Sequence, residues 1–216
     1  MMPEHAARPR LRRAPARRDV AAAVAGLAAL AVGMVIVRDG EVPGWERGIF
    51  HAINDLPEAL YPVLWPFQQI GALAAAPIAA LVAALLHRRR LALAILVALV
   101  AKLVLERVVK LVVTRERPGT SIGDDVHLRG DVTAGGESFV SGHAVLVAAV
   151  AGVITPYLPA RWKVVPWVVV ALVMFTRVYV GAHNPLDVVC GAGLGVAIAC
   201  AVNQLFHTPP MFAAGR

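Results

Sequence analysis

The stretch from Val164 to Phe206, VVPWVVVALVMFTRVYVGAHNPLDVVCGAGLGVAIACAVNQLF, decides the fold. Two apolar runs, Val164 to Val180 and Leu186 to Phe206, each approach the roughly 20 residues needed to cross a hydrocarbon core, and a short polar turn joins them. The charged residues and the histidine of this stretch gather at that turn: Arg177 before it, His183 within it, Asp187 just after it. Two membrane helices with polar groups at one shared tip are the direct reading. Ionisable groups at membrane depth are costly and mark a functional site by default.

Four further apolar stretches lie upstream: about Val20 to Val37, Gly71 to Leu86, Leu91 to Val113 and His143 to Tyr157. With 58% hydrophobic and 16% charged residues in 216, and a mean hydropathy of +0.67, the chain is too apolar for a soluble domain of its size. The expected fold class is all-α, an integral membrane bundle of about six transmembrane helices. One domain, 19–206, lies between a basic N-terminal tail, 1–18, and a C-terminal tail, 207–216. The first apolar stretch runs into Val37-Arg38-Asp39-Gly40 rather than a small-residue cleavage site, so it reads as a retained signal anchor. Cys190 and Cys200 fall too far apart on one helix to bridge.

The net charge of +7 comes in short clusters at helix ends, where a membrane protein uses cations for orientation, so no nucleic-acid partner is expected. Arg8, Arg10, Arg12, Arg13, Arg17 and Arg18 precede the first helix and put the N-terminus in the cytoplasm. Counting crossings, the turns at Arg88-Arg89-Arg90 and Arg161/Lys163 then fall inside as well, and both termini are cytoplasmic. The segments around Asp39 to Pro57 and Thr114 to Val140 fall outside. Trp45 and Trp65 near the outer boundary, and Trp162 and Trp167 near the inner one, fit interfacial aromatic belts. Ile49, Phe50, Ile53 and Leu56 repeat at helical spacing among Glu46, Arg47 and Asp55. This predicts a short interfacial helix that either guides a lipid toward the site or plugs the top of the bundle. The polar, Gly- and Asp-rich loop from Thr114 to Val140 reads as a cover.

On this topology four separate segments deliver ionisable groups to one end of the bundle. Lys110, Arg115 and Arg117 end the third crossing, Ser141-Gly142-His143 begin the fourth, Arg177 lies near the end of the fifth, and His183 and Asp187 open the sixth. Each has a structural explanation when taken alone: snorkelling for Lys110, Arg117 and Arg177, N-capping for Ser141, a satisfied first-turn residue for His143, and a first-turn acid after an Asn184-Pro185 cap for Asp187. Taken together they suit a phosphate group, which wants several cations, bidentate guanidinium contacts and free backbone N–H groups at a helix N-terminus. Gly142 lets the backbone approach closely. His183 can then act as nucleophile, Asp187 can accept a hydrogen bond from one of its ring nitrogens, and His143 can protonate the leaving alkoxide.

Lys110 to Pro118 (KLVVTRERP), Ser138 to His143 (SFVSGH) and Thr176 to Asp187 (TRVYVGAHNPLD) resemble the three signature motifs of the type 2 phosphatidic acid phosphatase family, in its membrane-bound branch. The family shares its fold core with vanadium haloperoxidases and bacterial acid phosphatases. The resemblance covers roughly the second half of the chain. It implies a nucleophile at His183, an orienting partner at Asp187, a general acid at His143, and a phosphate site at Lys110, Arg117, Ser141, Gly142 and Arg177. Two positions depart from the pattern: Val140 stands where the second motif usually has Pro, and Thr176 where the third usually has Ser.

The expectation is a metal-independent, cofactor-free hydrolase of the cell membrane, working through a phosphohistidine on a lipid phosphate or diphosphate at the outer face. No His-x-x-x-His pair or carboxylate cluster suggests a metal site. Lys102, Glu106 and Lys110 share one helix face, as an ion pair beneath the site or as support for Lys110. A lipid phosphotransferase would use the same histidine. A small-solute or ion transporter fits less well, because the charges gather at one end and no inverted repeat is visible. Polyprenyl diphosphate, phosphatidate and phosphatidylglycerophosphate all suit the site, and the tail-binding residues are generic.

Overall fold

The computed structural model describes residues 17–212. It is all-α, with no strand among the described residues. The helices are α1 (Arg17–Ile36), α2 (Gly44–Asn54), α3 (Tyr61–Ile70), α4 (Ala75–Leu85), α5 (Arg89–Val112), α6 (Pro118–Ser121), α7 (Gly142–Ile154), α8 (Val165–Tyr179) and α9 (Pro185–Leu205). Arg8, Arg10, Arg12 and Arg13, on which the expected orientation partly rests, lie outside the described residues.

The helix boundaries follow local chemistry. Asn184 is extended (φ −76°, ψ 158°) and Pro185 follows at the first helical position, where its fixed φ suits a helix and its missing N–H costs nothing. Ser141 is likewise extended ahead of α7, and Val113 turns extended to end α5.

Three helical segments are long and apolar enough to cross a membrane unaided: Arg17–Ile36, Ala160–Tyr179 and Pro185–Leu205. A fourth span arises if Glu58–Ile70 and Ala75–Leu85 are taken together, bent by 64°. The six expected crossings therefore become three or four by length and composition. Gly142–Tyr157 is apolar but shorter. Helix α5 has 24 residues, but Lys102, Glu106, Arg107 and Lys110 interrupt its second half. The second apolar stretch also begins earlier than its hydropathy suggests, because Tyr61–Ile70 is helical with Pro62 in its first turn and Pro66 inside it.

Helix α9 is the central stave, packed most extensively against α7 on one side and α1 on the other. The α1 contact is a backbone approach, in which a Cβ added at Gly26 would fall on the carbonyl group of Gly193. Small residues at such crossings let helices associate where no hydrophobic gain is available. The buried residues Gly26, Leu30 and Gly33 form one stripe along α1. At the far end from the motif residues, Asp19 is buried and accepts the backbone N–H groups of Met211 (2.9 Å) and Phe212 (3.1 Å), which clasps the start of α1 to the segment after α9.

Helix α3 packs on α8, but after the bend α4 packs on α5. The lower halves of α7 and α8 are left uncovered on that side, and an apolar groove of about 390 Å³ runs there between Ile70, Val147, Ala151, Ile154, Val165 and Val169.

Helix α2 is seated on the bundle. Its buried residues are Glu46, Phe50 and Asn54, at i, i+4 and i+8, while Trp45 and Ile49 are exposed. Asn54 donates to the carbonyls of His127 and Tyr179 (both 2.9 Å) and accepts from His127 N (2.8 Å). Of the two readings of this segment, the plug describes its seat. The Thr114–Val140 loop is pinned over it by Arg129, which donates to the carbonyls of Asn54, Leu56 and Tyr179.

Candidate active site

The four segment ends that carry the motif residues meet at one end of the bundle. Asp187, in the first turn of α9, is fully buried. Its Oδ1 accepts from Arg115 Nη1 at 2.9 Å, and its Oδ2 accepts from the Asn184 N–H at 2.7 Å and from the Ser138 hydroxyl. Its backbone carbonyl takes the N–H of Ser141 at 3.0 Å and so ties the start of α7 to the start of α9.

His183 lies in the turn between α8 and α9, almost completely buried, with its N–H on the carbonyl of Arg177. The expected direct bond to Asp187 is not made, since Nδ1 stands 3.7 Å from Oδ2. The hydroxyl of Ser138 fills the gap, 3.4 Å from Nδ1, while donating its own proton to Asp187. With that proton committed, the network assigns a hydrogen to Nδ1 of His183, leaving Nε2 with a free lone pair. Burial lowers the pKa of His183 to about 4, partly opposed by Asp187 and reinforced by Arg177 and Arg117, so the ring is neutral near pH 7.

Around this ring lie polar atoms without protein partners. Arg177 is buried near the end of α8, and its Nε, the Nε of Arg117 and the hydroxyl of Ser141 are all buried and unpaired among the described residues. Unsatisfied buried donors are costly, and three close to one histidine point to an anion that completes them. Arg117 is held in part by Thr133, which accepts from Nη1 at 2.9 Å. The N–H of Ser141 is spent on Asp187, so the expected backbone contribution of this turn falls to Gly142 and His143.

Lys110 is joined to Glu106 at 3.0 Å, and Glu106 to Lys102 at 2.6 Å. The two readings of this stripe thus coexist, one carboxylate serving both lysines. Glu106 also lies against Gly142, where an added Cβ would come within 2.7 Å of its Oε1. His143 faces the α3–α4 bend, and a Cβ at Gly71 would come within 2.8 Å of its ring. Below His143, Val147, Ala151 and Ile154 continue the same face of α7 into the apolar groove, and on α8 Val169 and Val165 line its other wall.

Val140, at the Pro position of the second motif, is fully buried, and its peptide bond with Phe139 is cis. Thr176 retains the hydroxyl of the third motif but donates it to Leu172 O of its own helix at 2.7 Å.

Sequence reasoning placed Arg115 in the cluster without a role, gave Glu106 only as an ion pair beneath the site or support for Lys110, and left Glu46 and Ser138 without a place in it. Arg115 is completely buried between Asp187 and Glu46. The signal for Glu46 was its place at i−4 from Phe50 and i−8 from Asn54 on one helix face.

Several known proteins are similar to this chain. A curated undecaprenyl-diphosphatase from Sulfolobus acidocaldarius is 32% identical over 137 residues, which is 62% of this chain and 65% of that protein, so the match spans just under two thirds of the relative. The crystal structure of Aquifex aeolicus LpxE superposes with a TM-score of 0.60 at 23% identity, covering 75% of this chain and 96% of that one. A transmembrane PAP2 type phosphatidylglycerolphosphate phosphatase from Bacillus subtilis gives 0.58 at 18% identity, covering 92% and 100%. Both likenesses are of fold. The family model of the PAP2 superfamily matches residues 90–210, more than half of the chain and all three motifs, and the chain accordingly belongs to that superfamily.

Proposed function

We propose that this protein is a membrane phosphatase that removes a terminal phosphate from a lipid phosphate or diphosphate through a phosphohistidine on His183. The observation that carries the reading is the set of unpaired buried atoms, Arg177 Nε, Arg117 Nε and Ser141 Oγ, gathered about a neutral histidine held by Ser138 and Asp187. Attack by Nε2 on the terminal phosphorus forms the N–P bond as its bridging P–O bond breaks. His143 supplies the proton to the departing oxygen, an alkoxide from a lipid monophosphate or a phosphate oxygen from a diphosphate, and in the second step takes one from water, which releases phosphate and restores His183. Arg177, Arg117, Lys110 and the Gly142 and His143 N–H groups balance the phosphoryl charge.

A lipid substrate is supported by the groove on α7 and α8, whose α7 wall begins beneath His143 and whose lining suits a hydrocarbon tail. The activity of the Sulfolobus relative, an undecaprenyl-diphosphatase, agrees with this class. We further propose six crossings, with both termini cytoplasmic and the site at the outer face, since the Arg88-Arg89-Arg90 and Arg161/Lys163 turns lie at the opposite end of the bundle.

The test is phosphate release from undecaprenyl diphosphate, phosphatidate and phosphatidylglycerophosphate by purified protein with chelator present. Alkaline quench of wild type should trap labelled phosphate on protein, and His183→Ala should trap none and turn over none. An active His183→Ala variant, or activity that disappears with chelator and returns with a divalent metal, would overturn the reading.

A further inference from the structure

The buried carboxylate of Glu46 has no part in the mechanism above. It sits on α2, outside the three motifs, and is completely buried. The guanidinium fork of Arg115 is turned toward it, Nη1 to Oε1 at 3.2 Å and Nη2 to Oε2, while a single bond from Nη1 reaches Asp187. Oε1 of Glu46 also accepts the Leu186 N–H at 2.8 Å, one of the orphan donors at the start of α9.

Two consequences follow from this geometry. A bidentate fork is the preferred partner of a carboxylate. With Glu46 holding it, Arg115 occupies Oδ1 of Asp187 alone and leaves Oδ2 to Ser138 and Asn184. Without Glu46 the fork is free to chelate Asp187 and draw Oδ2 away from Ser138. The second consequence concerns charge. One cation between two anions leaves a net single negative charge behind His183, matching the positive charge the ring acquires when it is phosphorylated. Loss of Glu46 would leave Arg115 and Asp187 neutral as a pair.

We propose that Glu46 is a positioning residue for the reaction, acting through Arg115 to keep Asp187 both aimed and negatively charged behind His183. The inference rests on the His183 mechanism proposed above. The groups facing His183 are Asp187 from α9, Ser138 and Arg117 from the loops beside α6, Arg177 from α8 and His143 from α7, with Arg115 and then Glu46 behind Asp187.

The experiment compares wild type, Glu46→Gln and the charge-compensated double variant Glu46→Gln/Arg115→Gln, all as full-length protein in detergent. Readouts are kcat, KM and the acid limb of the pH–rate profile with one lipid phosphate. Glu46→Gln should lower kcat about tenfold and move the acid limb about one unit toward lower pH, since losing a nearby negative charge disfavours the imidazolium. KM should change little. The double variant, again with a net single negative charge, should return the acid limb to its wild-type position. Glu46→Gln protein that is less stable but turns over normally per folded molecule, with an unmoved acid limb, would make Glu46 structural and overturn the proposal. Should Glu46→Gln not fold, a double variant whose acid limb is displaced by a unit or more would overturn it equally. Wild-type turnover and phosphohistidine trapping, measured in parallel, report separately on the mechanism itself.

Discussion

Asp187 reaches His183 through the hydroxyl of Ser138, with 3.7 Å between carboxylate and ring and the serine oxygen 3.4 Å from Nδ1. The ring is therefore oriented by a neutral hydroxyl polarised by a carboxylate. Ser138→Ala should leave Asp187 held by Arg115 and Asn184 but deprive Nδ1 of its acceptor. Loss of such an orienting partner costs about 10- to 100-fold, so kcat for phosphate release should fall by that order with unchanged thermal stability. Wild-type turnover by Ser138→Ala would mean that Asp187 contacts the ring directly during reaction.

Arg177 and Lys102 separate the anion site from its support. Arg177→Lys replaces a guanidinium whose buried Nε is unpaired with a point charge that cannot bridge two phosphate oxygens. Turnover should drop by about 10²-fold or more, the scale of losing one oriented donor to a developing anion. Lys102→Met leaves Glu106 still joined to Lys110 and should cost much less. Equal losses in steady-state assays of folded protein would put the whole lysine–glutamate stripe of α5 in the mechanism.

The pH dependence follows from the environment of His183. Its pKa lies at about 4, below its ordinary value, so the ring keeps its free lone pair until the solution becomes strongly acid. Loss of that lone pair should give the kcat/KM profile an acid limb centred near pH 4. A descending limb already present between pH 6 and pH 7 would mean an unburied nucleophile.

Sidedness can be read with single cysteines. Gly135 is exposed in the loop above the site and Arg89 is exposed at the opposite end of the bundle. In intact cells an impermeant thiol reagent should label Gly135→Cys and spare Arg89→Cys. The reverse pattern would place the site on the cytoplasmic face.

Features carried by periodicity and position along one helix were legible in the sequence. The apolar runs, the Asn184-Pro185 start of α9 and the meeting of Arg177, His183, Asp187 and Ser141 at one end all follow from helix ends and turns. The seat of α2 was legible only as the spacing of Glu46, Phe50 and Asn54 on one helix face, because the counter-charge of Glu46, Arg115, lies far along the chain. The Ser138 bridge was hidden for a similar reason: a separation of 3.4 Å or 3.7 Å depends on how two loops settle, and motif spacing fixes only that they are neighbours. The α3–α4 bend was not legible because the apolar run was taken to begin at Gly71, whereas the helix starts at Tyr61 and the chain bends at Gly71–Ala74.

The backbone approach of Gly26 to Gly193 alters what the first apolar segment is for. A greasy tether can be exchanged for any other of the same length and hydropathy. Helix α1 cannot, because it is moulded to α9, the helix whose first turn holds Asp187. A foreign leader of equal hydrophobicity with a larger residue at position 26 would insert into the bilayer normally and still displace the helix that carries Asp187.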